Sequence, residues 1–369
     1  MPPCFERLLK KTMETKIKAY IGEMLPGIRP FPILNHHLGR KPYAGKKPYR
    51  AIFDEMDFSF LTLVQDPKEA DFFLMPHNYF SIQDEAYIDR FVRAAGKYDK
   101  QVLVFAFGDS EADIAIRNAT ILRYSGYRYK GMKDNEIIIP TQIYAGDILR
   151  DELFFLREKQ ETPVVSFCGW AQFNSWRERV GHFVHTIPLD IKKYLLFDKQ
   201  SEVHKQGVYW RGRALKALTG SSLVETSFLV RNFYSANKNT IQGDPALLRT
   251  EYIENIQQSD FVLVVRGDSN MATRFYETLA LGRIPVLIDT EWLLPLEDVI
   301  DYKKFVVFVP YTDIQNTDKY IREFWDNLSG GEFKSKQLLA RETFMNYLKF
   351  DSFLEYIFNR QLKPKLSIP

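Results

Sequence analysis

The chain has 369 residues, of which 45% are apolar and 26% charged, with only two cysteines, Cys4 and Cys168. This is the composition of ordinary folded protein and excludes a collagen, a disordered chain and a disulfide scaffold. No stretch approaches the roughly 18 uncharged apolar residues of a membrane span, and the N-terminus lacks a signal-peptide core, so a reducing, cytoplasmic setting is expected. Lys and Arg number 50 against 47 Asp and Glu, a net charge of +3, but residues 1–50 hold eleven Lys or Arg against three Glu. That basic segment suits an anionic membrane surface or an anionic substrate, or is simply a solvated flank.

The length favours two domains, at roughly 150 residues each. Residues 16–21 alternate polar and apolar side chains and predict a strand, after a helix ending near Met13. Residues 26–50, rich in Pro, Gly and Lys, read as a loop. Strands follow at 71–75, 101–107, 120–124 and 136–139, with a helix over 85–97. The charged stretch 151–161 reads as a connecting helix. A second set of strands lies at 163–167, 223–230, 261–265, 284–288 and 305–309, separated by helices at 211–219, 245–258, 271–281 and 314–327. The last 30 residues form an amphipathic helical region. Continuous apolar strands alternating with helices predict parallel sheets covered on both faces. The expected architecture is α/β, with two Rossmann-like domains over 1–155 and 156–334 and C-terminal helices, 335–369, available to pack back on the first. Ligands of such domains bind beyond the C-terminal ends of the strands, here in the cleft that the two domains face.

The segment 261–298 carries the most chemistry. A buried strand runs into Arg266-Gly267-Asp268-Ser269. Gly267 permits a tight turn, and Ser269 or Asn270 can cap the next helix, whose N-terminus then offers free N–H groups to an anion. Arg266 and Arg274 add positive charge, and the planar guanidinium suits a diphosphate. Glu277 stands three residues after Arg274, on the same helix face, where it can accept hydrogen bonds from ribose hydroxyls or form a surface ion pair with Arg274.

This segment resembles the C-terminal signature of the exostosin family, glycosyltransferase family 47. The resemblance rests on Gly267-Asp268-Ser269, Arg274-Phe275-Tyr276-Glu277, Ile284-Pro285-Val286, Asp289 and Leu294-Pro295-Leu296-Glu297-Asp298. Upstream, Asp66-Pro67-Lys68-Glu69-Ala70-Asp71, Phe167-Cys168-Gly169 and the run Arg211, Arg213, Ala214, Leu215 also match. The resemblance implies a GT-B fold and inverting transfer from a UDP-sugar, bound by the C-terminal domain, to a glycan. Glu277 would then hold the ribose. Arg266, Ser269 and Arg274 would lie at or near the diphosphate, with Gly169 at the start of the donor domain and Arg211 or Arg213 reaching the phosphates from another helix. Family members with a membrane anchor and stem differ from this chain, which suggests a cytoplasmic, bacterial enzyme acting on a lipid-linked or membrane-proximal glycan.

An inverting transfer needs a base for the acceptor hydroxyl. Asp109 follows the strand at 101–107, Glu111 stands two residues on, and His77 follows the strand at 71–75 in the same way. Each has an alternative role as a cap or turn former. No two Asp residues are two apart, and the His36-His37 and His182/His185 pairs lack a carboxylate at ligand spacing, so no metal is expected and arginines would take the leaving-group charge. Trp170 could stack on a sugar or base, or belong to the core. Two readings compete. A fucosyltransferase-like enzyme using a GDP-sugar normally has Lys beside the helix Glu, where Thr278 stands here. A non-catalytic glycan-binding partner would have no need of Arg274 and Glu277. A nucleic-acid binder has no motif to support it.

Overall fold

The computed structural model describes residues 16–39, 52–143, 145–173, 175–234 and 240–359. The helix expected before residue 13, the basic loop from 40 to 50 and Cys4 lie outside them. The chain divides into two units. The first gathers residues up to Gly108, Asp113–Arg123 and the chain from Asp351; the second holds Asp109–Ala112 and Tyr124–Phe350.

The α/β expectation holds in both. The first unit's sheet contains β1 (Ile17–Tyr20), β2 (Leu61–Leu63), β3 (Phe72–Leu74), β4 (Val102–Ala106) and β5 (Ala119–Arg123), in the order β2-β1-β3-β4-β5, and β6 (Glu136–Ile138) belongs to the second unit. The pairings from β2 to β5 are parallel. Helix α1 (Glu85–Gly96) lays Tyr87, Phe91 and Ala95, one helical turn apart, on Phe73, Val102 and Val104. The chain's last described stretch belongs to this unit: Phe358 meets Phe60 and Phe72 with ring centroids 5.9 and 5.5 Å apart.

The second sheet contains β7 (Val164–Trp170), β8 (Glu225–Arg231), β9 (Phe261–Val264), β10 (Ile284–Asp289) and β11 (Val307–Pro310), all parallel, in the order β11-β10-β9-β7-β8. Around it stand α2 (Trp176–Leu195), α3 (Gly207–Leu218), α4 (Pro245–Gln257), α5 (Thr273–Ala280), α6 (Thr317–Asp326) and α7 (Gly330–Thr343), with α8 (Phe350–Ile357) following. Phe261, Leu263, Ile284 and Val286 share a core with Trp210 and Ala214 of α3 and Ile321 and Trp325 of α6. Val262, Val264 and Leu287, on the other face, are buried as well, which is why these strands read as unbroken apolar runs. From β7 the chain first crosses to the edge strand β8, then returns to β9 on the other side of β7. Successive crossovers therefore part at β7/β9, the point beyond whose C-terminal strand ends a ligand crevice is expected in such sheets.

Two expectations require correction, and one helix lay outside them. The stretch 151–161 is not a helix. Only Asp151–Leu153 makes a turn, and the rest is drawn out by tertiary partners: Arg157 exchanges backbone hydrogen bonds with the Gln337 side chain, and its Nε donates to Asp260 at 2.6 Å. The 20-residue helix α2 was not expected from the pattern, since Gly181 and Pro188 interrupt it and its apolar side faces outward. Helix α5 begins at Thr273, with Ala272 at its N-cap and no side-chain cap, so Ser269 and Asn270 do not cap it.

Asp260 is wholly buried and also accepts the Val164 N–H at 2.8 Å. Removing it strands the Arg157 charge and a strand N–H together. Asp260→Ala is expected to cost about 3 kcal/mol in urea unfolding, and a loss below 1 kcal/mol would show that Arg157 finds water instead.

Candidate functional site

Two arginines meet at the end of β7. Arg274, on the first turn of α5, donates from Nη2 to the Cys168 carbonyl and lies 4.3 Å over the Phe167 ring. Arg211, on α3, donates to the carbonyls of Trp170 and Arg266, each at 3.1 Å. Backbone dipoles thus tether both guanidiniums at the crevice. Gly169 makes room for one of them: its φ is +152°, and a Cβ there would stand 2.9 Å from Arg274 Nη2. Gly207, which sequence reasoning missed, lets α3 abut the loop after β9, because a Cβ would fall 2.4 Å from the Arg266 carbonyl oxygen. Such an approach is open only to glycine.

Electrostatically the pair is unfinished. Burial, then the neighbouring Arg274 charge, pushes the Arg211 guanidinium down to about 10, partly offset by Asp268. Arg274 Nε and the Trp170 indole N–H are buried without a hydrogen-bond partner. Two confined cations, unspent donors and the uncapped N-terminus of α5 make this a candidate site for a ligand bearing at least two negative charges.

Glu277 is the next feature along α5. It does not pair with Arg274. Its two oxygens accept from Arg249 Nη1 at 2.8 Å and the Tyr252 hydroxyl at 2.5 Å. Arg249 is gripped in turn by both oxygens of Asp147, at 2.7 and 2.9 Å. Burial opposes the Arg249 charge, but Glu277 and Asp147 outweigh it and hold the guanidinium protonated. Glu277 is thereby fixed in position as an acceptor, with lone pairs left for further donors. Asp147, Arg249 and Tyr252 were invisible as site residues in the sequence. The one available signal was the placement of Arg249 and Tyr252 three apart on one face of α4.

The candidate carboxylates join the turn after β9. Ser269 Oγ donates to exposed Asp109 at 2.9 Å, and the Asn270 N–H donates to Glu111 at 3.1 Å. Arg266 lies within the turn instead of at its mouth. Its guanidinium is buried and donates to the Tyr127 hydroxyl, the Val203 carbonyl and the Asp268 carbonyl at 2.6–2.9 Å, with Glu111 3.9 Å away. It braces the loop through both terminal nitrogens, while its Nε is buried without a hydrogen-bond partner. Of the two arginines on α3, Arg213 turns away, reaching the Tyr209 hydroxyl at 3.4 Å. His77, in the first unit, is completely buried. The Leu25 N–H donates to its Nε2 at 2.8 Å and its Nδ1 bonds the Arg29 carbonyl at 3.0 Å. Both ring nitrogens are committed to backbone, which leaves no lone pair for an acceptor hydroxyl.

The fold is α/β, with a pair of arginines at a topological switch point. Residues 192–324 match the Exostosin GT47 domain. An Exostosin-1 homolog of Caenorhabditis elegans is 33% identical over 117 residues, 30% of this chain and 30% of that protein. Exostosin-1 of Drosophila melanogaster is 34% identical over 121 residues, 32% of this chain and 16% of that protein. The matched region thus spans less than a third of either relative. A crystal structure of a glycosyltransferase from Rickettsia africae aligns over 95% of this chain and 99% of that one, with 12% identity and a TM-score of 0.39. The chain is thus similar to exostosins over residues 192–324, which lie within its second unit.

A bare diphosphate should fill the arginine pair. Pyrophosphate in EDTA is expected to raise the Tm of the wild type. Arg211→Gln, which removes one of two like charges, is expected to keep or raise the ligand-free Tm and to lose the pyrophosphate response. A ligand-free Arg211→Gln protein much less stable than wild type would mean that Arg211 is a structural tie.

Proposed function

We propose that this protein is a glycosyltransferase that moves a sugar from a UDP-sugar to a glycan acceptor with inversion, in the synthesis of a cell-surface polysaccharide. The observation that carries the reading is the Arg211–Arg274 pair at the end of β7, one helical turn from the fixed carboxylate of Glu277. A nucleoside diphosphate has the matching groups in the matching order: two phosphates for the guanidiniums and ribose hydroxyls for Glu277. The exostosin resemblance points to the same roles.

In this mechanism the sugar–phosphate bond breaks as negative charge gathers on the departing diphosphate. Arg211, Arg274 and the N-terminus of α5 neutralise that charge in place, already oriented and half-desolvated, so little reorganisation is needed during the reaction. This is the work a divalent cation does in other transferases, and it supports metal-independent transfer. Asp109 takes the proton of the attacking acceptor hydroxyl. It is the exposed carboxylate of the two at the turn, and its hydrogen bond from Ser269 couples its orientation to the donor loop. Glu111 is more committed, facing the Asn270 N–H and Arg266, and serves to shape the turn. The acceptor is a lipid-linked or membrane-proximal glycan, met on the cytoplasmic side.

Calorimetry with UDP, GDP and CMP in EDTA tests the donor. UDP is expected to bind best, and Glu277→Gln to weaken it at least about tenfold. A preference for GDP would favour the fucosyltransferase-like reading, and no nucleotide binding by folded protein would favour a non-catalytic partner. With the donor in hand, Asp109→Asn should lower turnover at least about 100-fold while leaving UDP affinity near wild type. Near-normal turnover removes Asp109 as the base. Activity lost in EDTA and restored by Mn²⁺ would overturn the metal-independent step.

A further inference from the structure

Helix α2 is turned inside out. Along its 20 residues Thr186 is the buried one, while Trp176, Val180, Phe183, Val184, Ile191 and Tyr194 are exposed. By the helical repeat these positions fall on one stripe, about 100° wide and on the order of 30 Å long. The stripe ends in an apolar tip, Leu195-Leu196-Phe197, whose Phe197 has a φ of +54° and is 83% exposed. A run of large apolar side chains facing water is not what a lone solvated helix shows.

The charges identify what covers it. By the same repeat, Arg177 borders one side of the stripe and Arg179 the other, with Lys192 further round on the polar face. Asp190, on the Arg179 side, is answered by Lys205 at 2.9 Å, so the borders are left cationic. Aromatic residues, Trp176 and Tyr194, stand near the two ends. An apolar stripe with basic borders is the pattern of a helix lying in the plane of an anionic lipid surface. A crossing of the membrane is a different matter: no helix among the described residues is long and apolar enough for it.

We propose that α2 and the tip at Leu195–Phe197 form an interfacial membrane-binding element, seating the exposed stripe among the headgroups of an anionic bilayer. The inference stands on the helix alone and does not depend on the transferase reading.

The test uses the full chain with vesicles of phosphatidylcholine, with and without about 30% phosphatidylglycerol. Wild type is expected to sediment with the anionic vesicles, at least about tenfold more strongly than with neutral ones, and its tryptophan emission to shift to the blue. Trp176 is 69% exposed whereas Trp210, Trp292 and Trp325 are buried, so Trp176→Phe should abolish the shift while binding remains. Phe183→Glu with Val184→Glu, checked for folding by its melting curve, should lose at least about tenfold in partition. Binding that survives the double change would place the contact in the basic N-terminal segment and overturn the proposal. So would failure of wild type to bind anionic vesicles, or a wild-type dimer in lipid-free solution that the double change dissolves, which would make a second copy the occupant.

Discussion

The site depends on two like charges held together by main-chain carbonyls. Left to themselves, Arg211 and Arg274 would part. The carbonyls of Cys168, Trp170 and Arg266 keep them at one strand end, and those carbonyls are available because β7 and β9 stop side by side with their crossovers leaving in opposite directions. Carbonyl dipoles offset part of the repulsion but carry no net charge. The remainder is like-charge repulsion, and a bound anion of the kind proposed would relieve it. A pair of lysines could not be held this way, because an ammonium has no planar fork with which to grip two carbonyls and still face a ligand.

Behind the pair, the second unit uses charge as framework to an unusual degree. Arg249 ties Glu277 to Asp147. Arg266 closes the turn after β9 on Tyr127 and Val203. Arg128 joins Asp289 to Glu297 at 2.9 and 3.4 Å. Arg249 and Arg266 would be costly to bury alone, and each is surrounded by acceptors that only this fold assembles. The benefit is positional: the side chains that face the crevice are fixed by others that do not.

How much of this was legible in the sequence follows from what each residue's neighbours are. The strands of the second sheet were readable because both their faces are buried and nothing but apolar residues fits there. Helix α1 was readable because Tyr87, Phe91 and Ala95 keep the helical period. Arg274 and Glu277 could be picked out as site residues, but their partners could not. Glu277 pairs with an arginine 28 residues away instead of the one three residues away, since long-range packing outcompetes a weak helical pair. Arg266 looked like the best phosphate ligand, standing next to Gly267, yet burial turned it into a brace. Position along the chain says which residues are near the loop. It does not say which side of the loop they take, and for Arg211 and Arg213, two residues and half a turn apart on α3, that difference is the whole distinction.

The same division runs through the exostosin-like motifs. Gly169, Arg211 and Arg274 stand at the crevice itself. Asp289 and Glu297 do not: Asp289 accepts the Trp292 N–H and Glu297 accepts the Leu294 N–H, so the Leu294–Asp298 run is a locked turn. Asn270 belongs with them, its side chain bridging the Gly126 and Thr290 carbonyls. A family signature of this kind therefore records two separate constraints, a charge pattern for the ligand and a set of buried hydrogen bonds that keep the loops bearing it in register. The second set is the larger, because every buried polar group in an irregular loop needs its own partner, whereas a diphosphate needs only a few well-placed donors.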